Sequence, residues 1–298
     1  MRTLTMEAFA KINLWLTVGE KRSDGYHDIE TVMQRVSLSD LVSVTRNPDP
    51  EGEKIAVHCS DPSLPTDGRN IVWKCAEAFF RRFGIEKYDV FIDIEKHIPQ
   101  AAGLAGGSAD GAAVLLMLNQ LCRIRAGRDA LCSVGAEVGA DIPFCLMGNR
   151  YLCRGKGEIL TPVHVSSSVS QHAPIYSCAA VIVKSPAMSV STGEAYRMLD
   201  EIPPSPEDAE MRKAGLEALL REIRAGEIPR TLYNDFERAA PEGVSVLKER
   251  LRALGALSVL MSGSGPSVYG LFRRLHDAEA AQDRLRAEGE DAWAVRFR

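Results

Sequence analysis

The chain has 298 residues and a formal net charge of -4, a length suited to two domains and a balance that gives no support to a general binder of nucleic acid or acidic membrane. Hydrophobic residues at 45% and charged residues at 26% are the proportions of an ordinary globule with a large core, not of a disordered or membrane-embedded chain. Cysteines stand at 59, 75, 122, 132, 145, 153 and 178 with no CxxC pair, and the six histidines show no HExxH spacing. Buried free thiols in a reducing compartment are therefore expected, in place of disulfides or a zinc site. Neither an apolar signal core nor a membrane-length run is visible, so the expected location is cytoplasmic.

Residues 4–18 alternate and then run apolar, predicting one or two strands. Lys11 and Asn13 lie two apart and share one side of any strand, a polar pair within an apolar run or an exposed edge face. Asp24-Gly25 is a turn signal, with Tyr26 and His27 directly after it and a strand-like run through Val36. Such a pair suits either a flat ring to stack on and hydrogen-bond, or the closure of a surface turn. A further strand pair is expected over 38–60, a helix over 71–83 and a strand over 88–95.

Ile98 to Asn119 (IPQAAGLAGGSADGAAVLLMLN) is the organising stretch. Its glycines allow sharp turns and close approach of backbone amides, and Ser108 is suited to cap a helix beginning behind it. Amides and a helix N-terminus aimed at one point hold phosphate. The alternative is a small-residue turn that lets a helix pack tightly. No Lys-Ser or Lys-Thr pair follows, so this is not a Walker A loop, and the spacing Gly103, Gly106, Gly107 is not a dinucleotide fingerprint.

A helix is expected over 128–138, ending at Gly139. Asp141 then stands where an Asx turn or a functional carboxylate fits, and Ile142, before Pro143, is biased toward extended geometry. Strand-like residues 150–154 precede a serine-rich stretch, 164–177, and the domain boundary is placed near residue 160, giving parts 1–160 and 161–298. A buried strand (178–183), a helix (192–199), a turn at 202–208 and helices over 207–225 and 242–254 follow. The chain closes with a glycine-interrupted hairpin around Gly263, Gly265 and Gly270, a helix over 277–288 and a strand over 292–297.

Three separated stretches agree with one family. They are Ala10-Lys11-Ile12-Asn13-Leu14 with Arg22-Ser23-Asp24-Gly25-Tyr26-His27, then Pro99 to Ser108 continued by Gly139-Ala140-Asp141-Ile142-Pro143-Phe144, and Leu260-Met261-Ser262-Gly263-Ser264-Gly265-Pro266-Ser267. Asn234-Asp235-Phe236-Glu237 adds a fourth segment. From about residue 7 to 272 the chain resembles the GHMP kinases, and its KxN and DGYH elements resemble the branch whose acceptor carries cytidine diphosphate.

The resemblance implies an α+β fold of two domains, a ribosomal-S5-like N-terminal one that binds ATP and a ferredoxin-like C-terminal one, with ATP and substrate meeting between them. It implies transfer of the γ-phosphoryl group of ATP, with Mg2+, to the 2-hydroxyl of a methylerythritol unit in non-mevalonate isoprenoid precursor synthesis. Lys11 and Asp141 match the catalytic pair. Ala101, Ala102, Gly103, Leu104, Ala105, Gly106, Gly107 and Ser108 match the phosphate loop, with Asn70, Lys96 and Pro99 bordering the nucleoside. Asn13, Tyr26, His27, Asp141, Tyr196 and Gly265 match the acceptor side, and no metal ligand is named. The expected partner is the small molecule alone, with no nucleic acid or membrane, in a monomer or homodimer.

Many members read GLGGGSS, then Asn or Asp, then Ala-Ala. Here Ala105 and Ala109 replace a glycine and a hydroxyl residue, and Gly111 follows Asp110. Ala105 matters little to the loop if its φ is negative, and an acid at 110 close to ATP needs magnesium or lysine nearby. Two rival readings stay open at this point. One is another small-molecule kinase of the family, of homoserine or mevalonate type. The other is a non-catalytic protein that uses the S5-like layer to bind RNA or protein.

Overall fold

The apolar alternation of the N-terminus forms one long strand, β1 (Arg2–Lys21), and β2 (His27–Arg46) follows the Asp24-Gly25 turn. In that turn the Tyr26 amide donates to Asp24 Oδ1 at 3.1 Å, the local bond that makes Asp a turn residue. β2 runs unbroken past Val36, where a strand end was expected, because its alternation continues through Val42 and Val44. The computed structural model describes residues 1–202 and 206–298, apart from the side chains at 206, 207 and 209.

Then come β3 (Glu53–Cys59), α1 (Ile71–Arg82), β4 (Tyr88–Glu95), α2 (Gly106–Leu121), α3 (Arg128–Val138), α4 (Ile142–Met147), β5 (Arg150–Arg154) and β6 (Ile159–Pro162). The remainder is α5 (Pro174–Ser177), β7 (Ala179–Lys184), α6 (Thr192–Asp200), α7 (Pro206–Arg224), β8 (Tyr233–Asn234), α8 (Glu242–Ala253), β9 (Ser258–Met261), β10 (Val268–Phe272), α9 (Leu275–Ala287) and β11 (Asp291–Arg296). A single 3-10 turn, Asp235–Ala239, links β8 to α8. The turn expected over 202–208 lies partly outside the described residues.

By contacts the chain divides into two compact units, residues 1–10, 38–99 and 105–148 in one and 11–37, 100–104 and 149–298 in the other. In the first unit β3 pairs in parallel with β4, and β4 pairs antiparallel with the second half of β2. Four helices complete it, with α2 buried nearly all round, as its continuous apolar run requires. In the second unit Thr31–Gln34 of β2 pair antiparallel with β5, and Trp15 and Leu16 of β1 pair in parallel with β8. A separate antiparallel sheet runs in the order β11-β7-β10-β9, its core built from Val181, Val183, Met261, Val268 and Phe272 with Leu247, Leu251 and Leu285 of α8 and α9. The architecture is the α+β class with a mixed sheet and an antiparallel sheet.

Two local expectations change. α2 starts at Gly106, capped at Ala105 without a side-chain hydrogen bond, so Ser108 lies inside its first turn and does not cap it. Residues 142–147 are helical, with Pro143 in the first turn, where the missing N–H has no intrahelical partner to lose. Ile142 is therefore not extended.

Candidate active site

Lys11 is 4% exposed on β1, and a buried ammonium needs partners. Its Nζ donates to Asn13 Oδ1 at 2.7 Å and to the Gly103 carbonyl at 3.0 Å, so the two-residue spacing does put the pair on one side. The Lys11 amide donates to the Leu104 carbonyl at 3.1 Å. Asn13 Nδ2 donates to Thr31 Oγ1 at 2.8 Å, which in turn donates to the Trp15 carbonyl at 2.5 Å. From β10, Tyr269 donates to the Asn13 carbonyl at 2.8 Å.

The β9–β10 turn joins the same cluster. Ser262 Oγ donates to the Gly103 carbonyl at 3.0 Å, and a Cβ on Gly263 would stand 3.3 Å from Lys11 Nζ. Asn234 Nδ2 fastens the turn by donating to the carbonyls of Met261 and Gly263, both at 2.8 Å. A Cβ on Gly103 would fall 1.9 Å from the Ser262 carbonyl oxygen, so the close approach is open to glycine alone. Thus the KxN strand, the start of the glycine loop and the GSG turn, far apart in sequence, are bonded together. Gly265 lies in that turn at φ +77.

The loop is built on left-handed backbone at every second residue: Ala101 at φ 47, Gly103 at 71 and Ala105 at 58. Left-handed residues at alternate positions are one kind of backbone in which N–H groups can converge. Ala105 therefore does not have the negative φ that would make it innocuous. Each alanine in this left-handed region costs on the order of 1 kcal/mol. Ala102 and Leu104 are buried. A Cβ on Gly106 would meet Ile98 Cγ2 at 3.0 Å, and one on Gly107 would meet Ile71 Cγ2 at 3.2 Å.

Asn70 is the N-cap of α1, accepting from the Val72 amide at 3.0 Å and donating to the Pro65 carbonyl at 2.6 Å. Asp141 caps α4 from an αR backbone with no side-chain cap bond. Lys96 follows β4, with Pro99 three residues beyond it. Its Nζ binds Asp40 Oδ2 and, at 2.8 Å, Asp110 Oδ2. Burial pulls the Lys96 pKa down, but Asp110 and Asp40 outweigh it and the net direction is up. Asp40 went unnoticed in the sequence because one acid in a strand of mixed polarity reads as a solvated position.

On the second unit's surface, His27 is buried while Tyr26 is 57% exposed with Lys156 Nζ 4.7 Å from its ring centre. His27 Nδ1 lies 3.0 Å from the Gly19 carbonyl, which only accepts, so this nitrogen carries the hydrogen. Tyr196 of α6 stacks directly on the His27 ring, centroids 5.1 Å apart, and Asp200, one turn on, reaches Nε2 at 3.3 Å. No further ring fits between the two. Among the described residues, no three His, Cys, Asp or Glu gather to hold a metal, and no helix is long and apolar enough to cross a membrane.

The model of the GHMP kinase N-terminal domain matches residues 70–149, and that of the C-terminal domain matches 216–291. The chain belongs to the GHMP kinase family. A Caldicellulosiruptor saccharolyticus protein described as 4-diphosphocytidyl-2-C-methyl-D-erythritol kinase is 38% identical over 95% of this chain and 93% of its own length. One of the same description from Alkaliphilus metalliredigens is 37% identical, covering 96% and 93%. A crystal structure of 4-(cytidine 5'-diphospho)-2C-methyl-D-erythritol kinase aligns at TM-score 0.74 and 32% identity over 99% of both chains. The Methanococcus jannaschii mevalonate kinase, at TM-score 0.74 but 12% identity over 100% of this chain and 99% of that one, shares the fold.

Proposed function

We infer that this chain is an ATP-dependent kinase that phosphorylates the 2-hydroxyl of 4-(cytidine 5'-diphospho)-2-C-methyl-D-erythritol, giving the 2-phosphate and ADP. The observation that carries this is likeness over nearly the whole chain to kinases described by that activity, together with the bonding of Lys11, Asn13, Gly103 and Ser262 into one cluster. A homoserine- or mevalonate-type activity has only fold-level likeness behind it.

In this reading the amides from Gly103 to Ser108 hold the ATP phosphates at the start of α2, with Ala101, Ala102, Leu104 and Ala105 shaping the loop. Asn70, Lys96 and Pro99 border the nucleoside. Mg2+, when bound, would be held chiefly by the ATP phosphates and would supply charge neutralisation there, as suits a small, hard cation. Phosphoryl transfer asks for alignment and neutralised charge more than covalent chemistry. Asp141 orients the acceptor hydroxyl and takes its proton as the P–O bond forms. Lys11 stabilises charge on the acceptor and phosphoryl oxygens, its head steered by Asn13 and the Gly103 carbonyl.

Asn13 and Gly265 serve the acceptor, and Tyr26 and His27 serve its cytosine, with Tyr196 acting through the His27 ring on which it stacks rather than as the far side of a sandwich. The same reading divides the chain near residue 160 into ATP-binding and C-terminal parts. It takes the protein to be cytoplasmic, a monomer or homodimer acting in isoprenoid precursor synthesis without a nucleic-acid or membrane partner.

A coupled ADP-release assay across the cytidine-bearing alcohol, homoserine and mevalonate tests this. Turnover confined to the cytidine substrate is expected. Turnover of homoserine or mevalonate alone would overturn the reading.

A further inference from the structure

Two carboxylates and one ammonium are buried together in the first unit beside the start of α2. Asp40 is 0% exposed, Lys96 7% and Asp110 3% at their side chains. The two acids are not equivalent. Asp40 is fully engaged, accepting from the amides of His97 at 2.5 Å and Ile98 at 2.8 Å on Oδ1 and from Lys96 on Oδ2. Asp110 accepts from Lys96 on Oδ2, and its Oδ1 is buried with no hydrogen-bond partner among the described residues.

With both acids ionised the cluster carries a surplus negative charge that burial leaves unsolvated. One proton removes it. That proton belongs on Asp110, because Asp40 would forfeit three donors aimed at its carboxylate while Asp110 has an oxygen to spare. The cluster also touches the helix start, since a Cβ on Gly106 would stand 3.3 Å from Lys96 Nζ.

We propose that Asp110 is a positioning residue whose neutral form admits ATP phosphate to the glycine loop and whose ionised form opposes it, with Lys96 held in place by Asp40. This rests on the kinase reading, which puts polyphosphate at Gly103–Ser108. A neutral Asp110 leaves the Asp40–Lys96 pair balanced, so the α2 N-terminus keeps its attraction for anions. Ionisation places an uncompensated charge about one turn from that terminus.

Desolvation, with Asp40 acting the same way and Lys96 against, brings the Asp110 pKa up to about 7, within reach of physiological change. The groups facing it are Lys96 after β4, Asp40 on β2 and the Cys59 thiol ending β3. From α1 the Cys75 thiol lies against Gly111, and α4 turns Ile142 to the same residue. Burial raises both thiols, Cys75 to about 12, so neither thiol adds a charge beside Asp110 near neutrality.

By linkage, each pKa unit that bound polyphosphate adds to Asp110 weakens ATP binding about tenfold at high pH. The test is calorimetric ATP binding from pH 6 to 8.5 for the wild type and Asp110→Asn, in two buffers of different ionisation enthalpy. Relative to the variant, wild-type affinity is expected to fall by about tenfold as pH rises, and above pH 7 the wild type takes up a proton on binding that the variant does not. In steady state the same difference is expected in KM for ATP and not in kcat, which a merely structural role would not separate.

Parallel affinity curves with equal proton uptake would overturn the proposal while leaving the kinase reading intact. Absence of ATP binding by the wild type would overturn both. Should the variant fail to fold, wild-type proton uptake still decides, because no uptake above pH 7 is incompatible with a neutral Asp110.

Discussion

Lys11 is the residue on which the proposed chemistry leans most. Replacing it with alanine removes the buried charge that the proposal assigns to neutralising the transferring group, so kcat is expected to drop by about 10²- to 10³-fold, read by ADP release. Asp141→Asn keeps shape and removes the proposed proton acceptor, and a loss of similar order is expected in kcat with KM for ATP little changed. Retention of more than a tenth of wild-type kcat in both would remove the pair from the mechanism. The loop offers a test free of catalysis. Gly103→Ala puts a Cβ 1.9 Å from the Ser262 carbonyl at φ +71 and should destabilise by about 3 kcal/mol or more. Ala105→Gly relieves a left-handed alanine at φ 58 and should change stability by less than about 1 kcal/mol. Denaturant midpoints for the two variants check both expectations.

At the scale of the element, α2 carries the glycine loop and is fixed by close packing on α1. A Cβ on Gly111 would stand 2.7 Å from Cys75 Sγ, so Gly111 is there because two helices touch. Gly111→Ala should cost about 1–3 kcal/mol, and pairing it with Cys75→Ala should recover most of that in a double-mutant cycle. Simple additivity of the two changes would show that the helices do not meet there. α6 shows what a sequence pattern withholds. The four-residue spacing of Tyr196 and Asp200 puts them on one helical face. Only the tertiary arrangement brings that face onto His27, stacking one residue on its ring and setting the other at its Nε2.

For the whole molecule, stability against pH follows from Asp110. An acid whose pKa is higher folded than unfolded binds more protons in the native state. Its contribution is full below the ordinary carboxylate value and is lost as pH rises through about 7. Wild-type stability should thus decline from weakly acidic toward neutral pH by a few kcal/mol, at roughly 1.4 kcal/mol per pKa unit. Asp110→Asn should flatten that slope in urea titrations. A slope unchanged by the substitution would mean that other groups set it.

The sequence by itself determined most of the element list, because 2.0- and 3.6-residue periodicities are local properties of a side-chain pattern. It also marked KxN, the glycine loop and the GSG turn as the stretches to weigh for chemistry, through their joint resemblance to one family. What it lacked was the meeting of Gly103 with Ser262 and Lys11, the left-handed backbone of Ala105 and the pairing of Lys96 with Asp40. Each depends on residues brought together from distant parts of the chain. A buried charge takes its properties from its neighbours in space, so Asp110 reads as a helix-start acid in the sequence and only the fold sets it against Lys96 and Asp40.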